Sequence, residues 1–222
     1  MFDLKAFREQ SLPTQAQIIS QWEGNLTSPL VSVICTAYNQ ESYIEDALKG
    51  FLMQKTDFPF EIIIHDDAST DKTADIINDY TKKYPLIIKP ILQKNNQYSI
   101  NGHLPLLNTI AVASGEYLAL CEGDDFWIDE FKVSKQLAAL KENPNIKICF
   151  TPAIALSSNN KIECVAKHST LSSDIFTLSD IINGGGSFMP TASLMIKTTA
   201  IKNLPDWFAK APVGDYYLQV IA

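Results

Sequence analysis

Short apolar runs rich in β-branched residues alternate with stretches of helical spacing from residue 30 to residue 150. A continuous apolar run of this length indicates a strand that is covered on both faces. Such runs lie at 30–36 (LVSVICT), 61–65 (EIIIH), 86–92, 116–121 (EYLALC) and 146–150. Helical spacing of apolar residues occurs between them, at 41–54, 72–83, 104–113 and 129–141. This alternation predicts an α/β fold with a mostly parallel central sheet and helices on both faces.

Polar and acidic residues follow three of these predicted strands at the point where each strand ends. The segments are 36–39 (TAYN), 65–67 (HDD) and 122–125 (EGDD). Ligands of open α/β sheets bind outside the carboxyl ends of the strands, so we expect these residues to lie at one rim. Clustered carboxylates repel one another unless a cation or a hydrogen-bonding ligand lies between them. Mg²⁺ and Mn²⁺ are bound by a few carboxylate oxygens plus ligand phosphates, which is what this rim offers.

Each acidic pair also has a simpler interpretation. Asp67 could belong to a turn that begins the next helix, but we expect Asp71 or Thr70 to cap that helix and Asp67 to contact a ligand. Asp124 and Asp125 could form a solvated loop. That interpretation is weakened by their position, because they lie directly between an apolar strand and two aromatic residues.

Net charge limits the partners of the 222-residue chain. The formal net charge is -7 and the pI is near 4.9, whereas proteins that coat nucleic acid present a basic face. We therefore expect no nucleic-acid partner. An acidic protein that binds an anionic ligand needs another source of positive charge, and a metal ion supplies it.

Cysteine usage and the N-terminal sequence bear on location. None of the cysteines forms a CxxC pair, and we expect buried, reduced thiols at Cys35, Cys121, Cys149 and Cys164. Reduced thiols favour the cytosol. The N-terminus shows no apolar signal-peptide core, and no run is long enough to span a bilayer. The expected location is therefore the cytoplasm, with peripheral association at the inner face of the membrane left open.

Several other kinds of site lack their motif. No GxGxxG follows the first predicted strand, and there is no GxxxxGK[ST] or GxSxG sequence. The three histidines, His65, His103 and His168, are scattered without metal-ligand spacing. We expect His65 to be a hydrogen-bonded neighbour of the site rather than a base.

Three ordered motifs resemble glycosyltransferase family 2. They are PLVSVICTAYNQESYIEDAL at 29–48, FEIIIHDDASTDKTADII at 60–77 and SGEYLALCEGDDFW at 114–127. The resemblance covers residues 29–150 closely and 184–218 more loosely. It implies a single GT-A domain, an enzyme that transfers glycosyl groups with inversion, and a bound Mn²⁺ or Mg²⁺ ion.

The resemblance also implies roles for individual residues. Thr36 and Tyr38 match positions that contact the nucleotide base, and Asp67 matches the residue that hydrogen-bonds the base, typically uracil. Asp125 matches the direct metal ligand, and Asp124 matches the neighbouring acid of that motif, nearer the ribose.

Asp215 matches the catalytic base of the family. It follows a glycine-rich segment (GGGSFMPTASLM) that resembles the acceptor-contacting loop. A carboxylate there can accept the proton of an acceptor hydroxyl during a single inverting displacement, and no second carboxylate nucleophile is needed. The simpler interpretation is that Asp215 only caps the helix predicted at 214–222.

These observations predict three regions: a polar and helical N-terminal extension (1–29), a nucleotide-sugar-binding half (30–150) and an acceptor-side half (151–222), with further C-terminal residues left open. The predicted function is transfer of a sugar from a nucleotide-diphosphate donor, a UDP-sugar, to a hydroxyl of a glycan or lipid-linked saccharide. Two alternatives remain. One is a non-catalytic nucleotide-sugar- or glycan-binding fragment, which a remote Asp215 would favour. The other is a nucleotidyltransferase, which usually has a basic loop after the first strand, whereas residues 38–41 (YNQE) are acidic.

Overall fold

The structure is a computed structural model that describes residues 2–157, 162–165, 175–212 and 214–222. The strands of these residues are β1 (Val31–Ala37), β2 (Phe60–Asp66), β3 (Ile88–Leu92), β4 (Tyr117–Leu120), β5 (Ile148–Cys149), β6 (Ala153–Leu156), β7 (Ile162–Val165) and β8 (Met195–Lys197). The helices are α1 (Leu4–Glu9), α2 (Gln15–Ile19), α3 (Ile44–Leu52), α4 (Thr73–Lys83), α5 (Leu104–Val112), α6 (Lys132–Glu142), α7 (Leu178–Gly184), α8 (Thr198–Ile201) and α9 (Gly214–Ile221). Short 3₁₀ helices span Gly185–Ser187, Thr191–Ser193 and Asp206–Lys210.

A six-stranded sheet in the order β3-β2-β1-β4-β8-β5 forms the centre of the molecule. The pairs β3–β2, β2–β1 and β1–β4 are parallel, and β8 runs antiparallel to both of its neighbours, β4 and β5. Strands β6 and β7 form a separate antiparallel pair. The predicted α/β fold with a mostly parallel sheet is confirmed.

Helices cover both faces of this sheet, as the continuous apolar strands require. Within β1, Val33 and Cys35 pack into a cluster with α3, α4 and α6. Ile34, between them, points to the opposite face and packs into a cluster with α5, α7 and α9. Successive strand residues thus supply two separate cores.

The N-terminal segment packs against this domain. Phe7 of α1 is buried, and its ring centroid lies 5.0 Å from that of Phe126, the residue after Asp125. The Arg8 guanidinium donates to both carboxylate oxygens of Asp46 in α3, at 2.6–3.1 Å. This bidentate geometry is the stronger form of such a pair. Helix α1 therefore packs against the residue that follows the acidic pair.

Two local predictions need correction. The sequence of residues 191–196 (TASLMI) predicts a strand, but the structure has a 3₁₀ turn, Thr191–Ser193, followed by the shorter β8. The turn forms because side chains from other elements bind its carbonyl groups: Trp127 Nε1 donates to Ala192 O at 2.8 Å, and Gln136 Nε2 donates to Ser193 O at 2.7 Å. Neither Thr70 nor Asp71 is the cap of α4, because Lys72 occupies the N-cap position. Asp71 instead accepts hydrogen bonds from the amide and hydroxyl of Thr73.

In the described part of the chain, Cys35, Cys121 and Cys149 are free thiols, and Cys35 and Cys121 are buried. Burial raises the pKa of the Cys149 thiol to about 11. None of the described helices is long and apolar enough to cross a membrane. His168 lies outside the described residues.

Candidate active site

A cleft of about 1330 Å³ opens at the carboxyl ends of β1, β2 and β4. Its other walls come from residues 96, 98–103, 105 and 106 and from residues 209–212, 214 and 215. Residues far apart in sequence meet there because parallel strands end at the same edge. All six residues singled out from the sequence line this one cleft: Thr36, Tyr38, Asp67, Asp124, Asp125 and Asp215.

The turn after β1 places Tyr38 at the cleft mouth. Asn39, the next residue, adopts a left-handed conformation with φ 53°, which asparagine tolerates better than most residues. Its amide donates to the Ser69 hydroxyl at 2.9 Å, and its side-chain oxygen accepts from the Thr70 amide at 2.8 Å. These bonds fix the turn to the segment after β2. The Tyr38 side chain remains 48% exposed, so a face of its ring is free to stack on a planar ligand.

Asp67 lies at the floor of the cleft and is 2% exposed. Its amide donates to Ala37 O at 2.9 Å, which continues the β1–β2 ladder by one residue. One carboxylate oxygen accepts from the Gln97 amide at 2.6 Å, and the other accepts from the Tyr98 amide at 2.9 Å. Each oxygen retains a second lone pair for a ligand. Asp67 therefore organises the loop after β3 in addition to facing the cleft, a second role that the sequence did not predict.

Glu122, two residues before the acidic pair, adds a further carboxylate to the cleft. Burial, together with the charges of Asp125, Asp124 and Asp215, raises the pKa of Glu122 to about 7. Burial of its carboxylate and the nearby charge of Asp124 also raise the pKa of Asp125. The sequence showed Glu122 in the EGDD segment but gave no reason to single it out. Its charge coupling to Asp215 depends on the folded arrangement.

Asp215 faces the same cleft from the opposite wall. It is the second residue of α9 and so is not the N-cap of that helix. The Thr191 hydroxyl donates to one of its carboxylate oxygens at 2.8 Å, and the Tyr216 amide donates to the other at 2.8 Å. The carboxylate is thus oriented by two hydrogen bonds. Thr191, which also lines the cleft, had not been singled out from the sequence.

His65 lies behind the cleft rather than in it. It is fully buried, and the side-chain amides of Gln93 and Asn108 lie 3.2 and 3.4 Å from its Nε2. Nδ1 has no hydrogen-bond partner among the described residues, so the expected hydrogen bonding of His65 is met at one ring nitrogen only. Burial lowers the pKa of His65, which keeps the ring neutral.

The cleft suits a cation that is shared with a ligand. Within the described residues, no group of three or more His, Cys, Asp or Glu side chains is arranged to hold a metal ion. Mg²⁺ commonly takes one or two carboxylates from the protein and its remaining ligands from phosphates and water. Asp124 and Asp125 meet that requirement. The cleft is lined by five carboxylates, Asp67, Glu122, Asp124, Asp125 and Asp215, whose negative charge a cation would offset.

Comparisons with known proteins identify relatives of this chain. The sequence model described as "Glycosyl transferase family 2" matches residues 32–201. An uncharacterized protein of Mycobacterium tuberculosis is 48% identical over 122 residues, which are 55% of this chain and 34% of that protein. The poly(ribitol-phosphate) beta-glucosyltransferase of Bacillus spizizenii is 33% identical over 99 residues, 43% of this chain and 15% of that protein. The matched segment thus spans about a third or less of either relative.

Solved structures share the fold. Residues 1–349 of S. aureus TarS superpose with a TM-score of 0.64 at 22% identity, covering 86% of this chain and 54% of that one. The mannosyltransferase PcManGT of Pyrobaculum calidifontis, solved with GDP-Man and Mn²⁺, gives a TM-score of 0.60 at 16% identity and covers 96% of this chain and 55% of that one. At these identities the likeness establishes the fold alone.

Proposed function

The chain belongs to glycosyl transferase family 2, and on that premise we propose that it transfers a sugar from a UDP-sugar to a hydroxyl of a glycan or lipid-linked saccharide, with inversion. One observation supports the proposal above all. Asp215, far along the chain, lines the same cleft as the acidic pair Asp124 and Asp125. A binding module without catalysis does not need an oriented carboxylate opposite its metal motif, so this placement favours transfer.

We assign the nucleoside to the end of the cleft formed by Thr36, Tyr38 and Asp67. The exposed Tyr38 ring offers a stacking surface, and Asp67 offers an acceptor for a base N–H. TarS was solved with UDP and with UDP-GlcNAc, whereas PcManGT was solved with GDP-Man. Because these neighbours differ in their nucleotide, the choice of uridine rests on Asp67.

We assign a divalent cation, Mn²⁺ or Mg²⁺, to Asp125 and Asp124. When bound there, it would neutralise negative charge on the leaving diphosphate. PcManGT was solved in complex with Mn²⁺, which supports the choice of metal.

Asp215 acts in this proposal on the acceptor. Its carboxylate accepts the proton of the acceptor hydroxyl while that oxygen bonds to the anomeric carbon and the bond to the diphosphate breaks. The Thr191 hydroxyl and the Tyr216 amide hold the carboxylate in place. Attack from the face opposite the leaving group in one displacement inverts the anomeric configuration.

Three further points remain proposals. We place the protein in the cytoplasm because the described cysteines Cys35, Cys121 and Cys149 are free thiols, with peripheral association at the inner face of the membrane, where a lipid-linked acceptor would lie. The name of the B. spizizenii relative indicates a polymer acceptor for that protein and supports a surface glycan here. We also retain residues 1–29, 30–150 and 151–222 as the extension, the donor half and the acceptor half.

The test compares Asp215→Asn with Asp206→Asn, an exposed acid outside the cleft. UDP release from a panel of UDP-sugars is measured with Mn²⁺ and candidate acceptors, and UDP affinity is measured by calorimetry. We expect Asp215→Asn to lower kcat by roughly 10²–10⁴-fold with little change in UDP affinity, since a general base acts only as the bond forms. Asp206→Asn should match the wild type. Near-normal transfer by Asp215→Asn would show that the assignment is wrong.

A further inference from the structure

The loop of residues 97–103, named the clasp here, connects the nucleotide side of the cleft to the segment that precedes Asp215. At its first end, the amides of Gln97 and Tyr98 donate to the two carboxylate oxygens of Asp67. Within the loop, the amides of Ile100 and Asn101 both donate to Gln97 O at 3.0 Å. The clasp is therefore an internally bonded turn that is anchored on a buried carboxylate.

Two side chains at the far end of the clasp bind the backbone carbonyls of Ala209 and Ala211. Asn101 Nδ2 donates to Ala209 O at 2.9 Å. The same side chain accepts from the His103 amide through its Oδ1 at 2.9 Å, which fixes the orientation of both side-chain atoms. The His103 ring lies 2.6 Å from Ala211 O through Nε2. Since a carbonyl oxygen only accepts, Nε2 must be the protonated nitrogen.

Packing holds the His103 ring in this position. His103 is 8% exposed, and its ring centroid lies 5.2 Å from that of the buried Phe208. The other ring nitrogen faces Gly214, where a Cβ atom would come within 2.8 Å of Nδ1. Gly214 is the residue directly before Asp215. The ring thus contacts Ala211 O and leaves no room for a Cβ atom on Gly214.

The geometry points to a positioning role for Asn101 and His103: they set the location of Asp215 relative to the nucleotide site. Neither residue needs to touch the reacting atoms for this role. The path runs from the Asp67 carboxylate through the clasp amides to the carbonyls of Ala209 and Ala211, and then to Asp215. Small displacements of a catalytic group are costly to rate, so the two carbonyl contacts have a direct consequence for transfer. This inference rests on the proposed function because it takes Asp215 to be catalytic. The contacts of the clasp with Ala209 and Ala211 do not depend on that function.

Three substitutions separate the donor groups from the bulk of these side chains. His103→Phe keeps a ring against Phe208 but removes the Nε2 donor. His103→Gln places an amide donor near the same point and is the rescue variant. Asn101→Asp keeps an oxygen for the His103 amide but turns a second oxygen toward Ala209 O. Asn95→Asp adds the same charge to an exposed position outside the cleft and is the matched control.

The first measurement needs no activity. Hydrogen exchange of the amides in residues 209–216 is followed in each protein, alone and with UDP and Mn²⁺. We expect exchange in this segment to be about tenfold faster in His103→Phe and Asn101→Asp, with protection restored in His103→Gln and unchanged in Asn95→Asp. UDP and Mn²⁺ should protect both the clasp and residues 209–216 in the wild type, but only the clasp in His103→Phe. Unchanged exchange in the two disrupting variants would overturn the inference.

The second measurement is the division between kcat and UDP affinity. A positioning role predicts that His103→Phe and Asn101→Asp lower kcat by roughly 10–10²-fold while the affinity for UDP stays within about twofold. An equal loss of UDP affinity would instead indicate a general structural role and would contradict the inference. If the wild type itself transfers no sugar, the proposed function fails, and the exchange experiment still decides whether the clasp holds the segment before Asp215.

Discussion

Lys132 carries an amine inside the protein, where its side chain is 6% exposed. The Nζ atom lies 4.2 Å from the centroid of the Trp127 ring and 2.6 Å from Gln136 Oε1. Burial lowers the pKa of Lys132 to about 8, from 10.5. Between these two pH values the unfolded chain binds more protons at this residue than the folded chain does. The contribution of Lys132 to stability therefore rises as the pH rises through this window.

The rise of this contribution with pH gives a prediction for Lys132→Met. At pH 7 the buried charge costs about 3 kcal/mol relative to an unshifted lysine. From pH 7 to pH 10 the free energy of unfolding of the wild type should rise, relative to that of Lys132→Met, by about 2–3 kcal/mol. Urea unfolding at several pH values measures the difference, and Lys141→Met, on the exposed side of α6, should show no such trend. A difference that does not change with pH would contradict the lowered pKa.

Asp125 gives a second prediction, because it shares the cleft with four other acids, Asp67, Glu122, Asp124 and Asp215. We expect Asp125→Ala to lose the thermal stabilisation that UDP gives in the presence of Mn²⁺, since the diphosphate would then face the remaining carboxylates without a firmly held cation. Asp57→Ala, at an exposed position outside the cleft, is the control. Calorimetry with excess chelator checks the premise. Equal affinity of the wild type for UDP with and without chelator would disprove the metal assignment.

Asp67 gives a third prediction, on the choice of base. The wild type should bind UDP more tightly than GDP, with thymidine diphosphate the nearest substitute, because a base lacking the matching N–H leaves a buried acceptor unpaired. Asp67→Asn should lower UDP affinity by roughly tenfold or more and reduce the preference, since its amide group would face a clasp amide. Displacement of a labelled nucleotide measures both, with Asp75→Asn as the control. Stronger competition by GDP than by UDP would refute the uridine assignment.

Helix α3 shows how an element far in sequence from the acidic pair is fitted to it. Gly50 lies in the helix interior, where glycine ordinarily costs stability relative to alanine. A Cβ atom at Gly50 would lie 2.7 Å from both the amide nitrogen and the carbonyl oxygen of Trp127. The absence of a side chain thus allows the helix to approach the backbone two residues after Asp125.

We therefore expect Gly50→Ala to destabilise the protein, by about 1–3 kcal/mol, despite the better helix propensity of alanine. It should also weaken UDP binding in the presence of Mn²⁺, because Trp127 must move. Gly186→Ala is the matched control, since nothing lies within 4 Å of a Cβ atom there. Urea unfolding and calorimetry give the two readouts. An increase in stability for Gly50→Ala would mean that the contact relaxes without cost.

At the scale of elements, the sequence predicts best where local and tertiary preferences agree. Strands β1 and β2 were predicted within a residue or two because their apolar, β-branched runs suit a strand that is buried on both faces. The turn Thr191–Ser193 was wrongly assigned to a strand. Its residues suit an extended conformation locally, but two distant side chains bind its carbonyl groups. The local sequence pattern does not predict such contacts.

At the scale of the whole molecule, the cleft was predictable in part. Residues as distant as Thr36 and Asp125 could be placed together because the ends of parallel strands share an edge. The role of the clasp could not be predicted from the sequence, because Asn101 and His103 bind backbone carbonyls, which every residue has. Glu122 was visible in the sequence, but its raised pKa depends on burial and on Asp215 across the cleft. The roles given to the individual cleft residues stay predictions.

The position of β8 in the sheet has a consequence for how the protein is made. When Leu120 has left the ribosome, the outer edge of β4 has no partner, and β5 cannot supply one because β8 must lie between them. At typical translation rates, synthesis from Leu120 to Lys197 takes roughly 4–15 s. For that interval the nascent chain presents an open, apolar strand edge, the kind of surface on which chains pair wrongly. The edge of β4 is covered when the three residues of β8, Met195–Lys197, pair with it.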